Sequence, residues 1–161
     1  MTAETKDDLP PWDGQFPSTT EMFLGNQEAV AFMEIISRWT HLYDDLIDAD
    51  KEIDKEFVHQ VMWEIMVNLP INSFYRTHAT VLAPVVATGI LNWRGANDME
   101  KLGSKEELYI AHATRYSIND LALIVLLLVG GPKHAAQYAR AARLAFQRDT
   151  IAHYLKEHGH V

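Results

Sequence analysis

The sequence predicts an all-α protein, a single-domain bundle of five to seven helices carrying an extended N-terminal arm. Three observations predict it. Apolar residues recur at three- and four-residue spacing over most of the chain. Helix start and stop signals punctuate those stretches at helix-length intervals. Strand signals are almost absent. The 161 residues suffice for one domain with a real core. Apolar residues make up 48% and charged residues 22%, as in ordinary globular chains.

Residues 1–17 hold three prolines and a glycine, with Trp12 and Phe16 as apolar anchors. This composition predicts an extended arm that docks on its own domain or on a neighbour. Residues 18–161 then form the helical domain. Ser18-Thr19-Thr20-Glu21 reads as a capping box opening a short helix that Gly25 ends. Asn26 caps a second helix, over about 27–49. Met33, Ile36, Trp39, Tyr43, Leu46 and Ile47 give it an apolar stripe, widened by Ile35 and Leu42. Asp54 caps a third, over about 55–69, with Phe57, Val58, Val61, Met62, Ile65 and Met66 on its core side and Pro70 after it. Asn72 or Ser73 opens a fourth, from Phe74 to about Asn97, which Pro84 kinks or splits.

Ser104-Lys105-Glu106-Glu107 is a second capping box, and Gly130-Gly131 end the helix it starts. The second half of that helix is apolar all round, which predicts a central buried helix near 105–129. Pro132 suits the first turn of a last, alanine-rich helix, over about 132–157.

Composition excludes several chemistries. The chain has no cysteine, so disulfides, thiolate catalysis and cysteine-ligated zinc are out. A net charge of −8 argues against binding nucleic-acid backbone. The N-terminus is too polar for a signal peptide. The longest apolar run, Leu121 to Val129, has nine residues against the ~20 that span a bilayer, so no membrane is expected. A cytoplasmic location follows as the expectation. An EF-hand starting at Asp48 fails at Ile53 and His59, where glycine and glutamate are required. His153, His158 and His160 crowd the C-terminus, where a frayed tail is the first reading and adventitious metal binding the second.

The chemistry-bearing stretch is HLYDDLIDADK, from His41 to Lys51. On a helical wheel His41, Asp44, Asp45 and Asp48 share one sector with Glu34, Ser37 and Arg38. On the fifth helix His112, Arg115 and Asn119 share a face, with Asp120 at its edge. That face runs on into Leu123 and Leu126, which places the polar residues partly inside. Buried charge must be paired, so Arg115 is expected to find its carboxylate among Asp44, Asp45 and Asp48. Two readings stay open. In one, Asp44, Asp45, Asp48, Asn119 and Asp120 hold Mg²⁺, which binds a phosphate-bearing small molecule. Arg115, His112 and His41 then act on the developing charge. In the other, the same residues form a salt-bridge network that sets two helices in register.

Asp44-Asp45-Leu46-Ile47-Asp48 resembles the DDxxD motif of class I isoprenoid and terpenoid synthases. That resemblance implies Mg²⁺, a diphosphate substrate and an all-helical fold. Asn119-Asp120 resembles the opening of the family's second metal motif, with Leu123 and Leu127 at its serine and glutamate positions. LYDDLIDADK, LPINSFY and LLLVGG together are similar to small helical proteins of tailed phages, over about 40–135. That likeness implies a virion or assembly component, in the host cytoplasm or the virion, with a homo-oligomer or another phage protein as partner. The function expected first is a structural, assembly or interaction subunit. A Mg²⁺-dependent enzyme acting on a phosphate or diphosphate is the alternative.

Overall fold

The computed structural model describes residues 16–49, 52–147 and 149–160. No strand occurs among them, and the all-α expectation holds. The helices are α1 Thr19–Met22, α2 Gln27–Asp48, α3 Lys55–Trp63, α4 Leu69–Ile71, α5 Ser73–Leu102, α6 Lys105–Arg115, α7 Asp120–Ala145 and α8 Ile151–Glu157. A π-helical turn, Glu64–Asn68, links α3 to α4, and a 3₁₀ turn, Tyr116–Asn119, links α6 to α7. The chain divides into two compact units. Thr19–Thr80 forms one, and Val81–Val161 with the described residues before Thr19 forms the other. The division falls inside α5, just before Pro84, and α5 is assigned as one helix through that proline.

In the 19–80 unit, Asn26 caps α2 by accepting the Ala29 N–H, as its sequence position requires. The apolar face of α2 buries Ala29, Phe32, Met33, Ile35, Ile36 and Leu42. Phe32 packs on Phe74 and stacks on Tyr75, at 6.0 and 5.8 Å between ring centres. Asn72 is the cap of α5. Its Oδ1 accepts from the Tyr75 N–H at 2.7 Å, and its Nδ2 donates to the Glu28 carbonyl at 2.9 Å. One side chain thus starts α5 and ties it to the first turn of α2.

The third helix departs from the expected 55–69. Its backbone widens into the π turn, and Pro70 lies within α4 instead of after the helix. Proline has no N–H to donate, and its ring crowds the carbonyl one turn back. A turn of five residues relieves that crowding, and Leu69 N–H reaches back to the Glu64 carbonyl. Met62 and Met66, expected inside, are exposed, while Glu64 is buried.

In the second unit, the predicted central helix is interrupted. The capping box at Ser104 and Glu107 forms as expected. The helix then tightens into the 3₁₀ turn before α7 begins at Asp120. Leu121, Ala122, Val125 and Leu126 are fully buried beyond that turn. α5 runs so close to the 3₁₀ turn that a Cβ on Gly89 would meet Ile118 Cδ1 at 2.6 Å. α7 breaks at Gly131, whose φ of 75° favours glycine, and Pro132 starts the returning arm as predicted. Arg143, near the end of that arm, ion-pairs with Asp120 at the start of α7.

The returning arm stops at Ala145, short of the expected 157. Thr150 caps a separate α8 by accepting the His153 N–H. Tyr154 and Leu155 of α8 lie in a buried cluster with Ala96, Leu108 and Ala111. The expected frayed tail is therefore packed up to α8. By length and composition alone, Lys105–Ala145 contains a window apolar enough to cross a bilayer, with a third of that window buried. The 3₁₀ turn and the Gly131 break interrupt that stretch.

Candidate functional site

Most of the chemistry-bearing contacts of the second unit converge on Glu100, in the last turns of α5. Arg115 Nη1 donates to Glu100 Oε1 at 2.8 Å and to Oε2 at 3.0 Å. The same nitrogen donates to Asn97 Oδ1 at 2.9 Å. The guanidinium also lies over the Trp93 ring, 5.8 Å from its centre. The two charged side chains retain only 21% and 15% of their accessible surface, so each needs the other. Tyr154 of α8 donates its hydroxyl to Glu100 Oε1 at 2.5 Å. Burial, then the hydrogen bond to Glu100, then its negative charge push the Tyr154 hydroxyl well above the ordinary tyrosine range. His158 Nε2 approaches the other carboxylate oxygen at 4.0 Å.

His112 completes the group. Its ring lies 5.0 Å from that of Tyr154, and its Nε2 meets the Asp149 carbonyl at 3.3 Å. Gln147 Nε2 donates to the same carbonyl at 3.2 Å. Beyond it, Asp149 Oδ1 lies 2.7 Å from His153 Nδ1, and Glu157 Oε1 lies 3.9 Å from His153 Nε2.

The sequence-predicted residues fall in both units. Asp44 and Asp45 are half-buried and His41 and Asp48 exposed, all in the last turns of α2 within the 19–80 unit. His112 and Arg115 end α6, and Asn119 and Asp120 bracket the start of α7, in the other unit. The structure brings His112 and Arg115 together around Tyr154. The sequence reading looks for the carboxylate of Arg115 among Asp44, Asp45 and Asp48. Glu100, beyond the expected helix end near Asn97, is a carboxylate partner of Arg115 within its own unit. Asp120 carries an ion pair with Arg143, and Asn119 is buried with its Nδ2 donor unsatisfied among the described residues. Sequence reasoning missed Glu100, Tyr154 and Asp149. The signal for the last was present in Asp149-Thr150, a helix-start pair inside a stretch read as one helix.

The 19–80 unit has a second arginine–glutamate pair. Arg38 Nε donates to Glu64 Oε2 at 2.8 Å, and Gln60 Nε2 donates to Oε1 at 3.1 Å. Glu64 also lines a groove of about 380 Å³ with Glu56, His59, Gln60, Trp63 and Asn68. Beside the groove the outer face of α3–α4 exposes Met62, Trp63, Met66, Val67 and Ile71. Trp63, Met66 and Ile71 keep 63%, 67% and 68% of their surface.

No known protein family, curated protein or solved structure matches the chain.

Proposed function

We propose that this chain is an interaction or assembly subunit, and that the outer face of α3–α4 is its contact surface. One observation carries the reading. Five large apolar residues, among them a tryptophan and two methionines, stand exposed on one short stretch of helix. Contiguous exposed apolar surface of this kind marks protein–protein contact sites. Tryptophan supplies the anchor that dominates such contacts, and methionine adapts to irregular surfaces. The likeness to small tailed-phage proteins points the same way. So does the polar cluster on Glu100, whose arginine is already held by protein groups and serves as a strut between helices.

The partner expected first is a second copy of the chain. Light scattering across a concentration series tests it. The full-length protein should exceed its 18.3 kDa monomer mass at high concentration. Trp63→Glu should return it to that mass while its helical circular dichroism stays unchanged. A wild-type chain that stays monomeric throughout overturns self-association.

A further inference from the structure

We infer that Asp149, His153 and Glu157 form a site for one divalent ion of the zinc class. Asp149 lies just before the Thr150 cap, and His153 and Glu157 follow on one face of α8 at four-residue spacing. One ligand atom from each lies within 4.8 Å of the other two. The donor set selects the ion. A single imidazole nitrogen with two carboxylates suits zinc and its transition-metal neighbours, whereas Mg²⁺ and Ca²⁺ take oxygen ligands. Three protein donors leave a fourth position for water.

Charge supplies an independent reason. Among the described residues, two carboxylates face this one imidazole. Asp149 retains only 19% of its side-chain surface, where uncompensated charge is costly. A divalent cation balances it.

The platform is also braced before any ion arrives. The Asp149 carbonyl is held by His112 and Gln147, and the Thr150 cap fixes the His153 backbone. Tyr154 and Leu155, between the ligands, are buried. An ion here clamps the loop before α8 onto the helix, and through His112 steadies the loop's contact with α6. This site does not depend on the contact surface proposed for α3–α4.

Calorimetric titration of the full-length protein with zinc chloride, and separately with magnesium chloride, tests the site. One zinc per chain is expected. Removing a ligand by His153→Gln or by the outward-facing Glu157→Gln should weaken binding by more than about tenfold. His160→Ala should leave it unchanged. Zinc should raise the thermal midpoint of the wild type and not that of Glu157→Gln, a variant with no buried group to disturb folding. Absent zinc binding, binding unchanged in both ligand variants, or equal affinity for magnesium would each overturn the assignment.

Discussion

Arg38–Glu64 and Arg115–Glu100 are the same chemistry used twice, once in each compact unit. Both join two helices through a charge-assisted hydrogen bond of 2.8 Å with an amide side chain assisting. Their surroundings differ. Glu100 is enclosed by Arg115, Asn97 and the Tyr154 hydroxyl, with a third helix packed over it. Glu64 is held by Arg38 and Gln60 on one side and opens to a groove beside exposed apolar residues on the other. A pair bound by groups from three helices acts as a strut. A pair at the floor of a groove leaves the helix above it free to present Trp63 and its neighbours.

Breaking each pair measures that contrast. Arg115→Ala leaves Glu100 buried with an uncompensated charge and should cost roughly 3 kcal/mol in urea denaturation. Glu100→Gln, which keeps the shape and part of the hydrogen bonding, should cost less. Arg38→Ala should cost about 2 kcal/mol, since Gln60 remains and Glu64 can turn toward water in the groove. Equal losses at the two arginines would remove the distinction between strut and floor.

Tyr154→Phe should cost about 1 kcal/mol at neutral pH by removing one donor from Glu100. The same variant has a pH signature. The folded hydroxyl is harder to ionise than a free tyrosine at 10.0. The unfolded chain therefore loses that proton first as pH rises, and wild-type stability falls above about pH 10. Below that value the contribution is fully present. Stability curves of wild type and Tyr154→Phe, followed from pH 8 upward, should converge through this window, and parallel curves would exclude Tyr154 as the group responsible. The smallest effect is expected in α2. Calorimetry with Mg²⁺ should give the same trace for the wild type and for the double variant Asp45→Asn, Asp48→Asn. A saturable Mg²⁺ signal lost in that variant would restore the diphosphate chemistry that DDxxD implies.

Much of this was legible in the chain. The caps at Asn26, Asp54 and Ser104, and the Gly131–Pro132 reversal, stand where the residues predict them. Local signals of this kind act within a turn or two, through side chains that reach only their own backbone. The need of Arg115 for a carboxylate was equally plain, because a polar face running into an apolar one must be paired. That Glu100 is one such partner was not. Glu100 belongs to a helix that reads as ending near Asn97, and the last turns of α5 alone bring it to Arg115. Met62 and Met66 show the opposite error. Their spacing reads as core, yet both are exposed, and Glu64, paired with Arg38, is buried among them.

By itself the sequence determined the helical class, most of the helix starts, and which side chains could not stay unpaired. These follow from periodicity and from short-range hydrogen bonding, which adjacent residues settle among themselves. The tertiary structure decided which carboxylate meets which arginine, which apolar face stays uncovered, and that Asp149, His153 and Glu157 converge. Each of those depends on how separate helices pack side by side, which no pattern within one helix records.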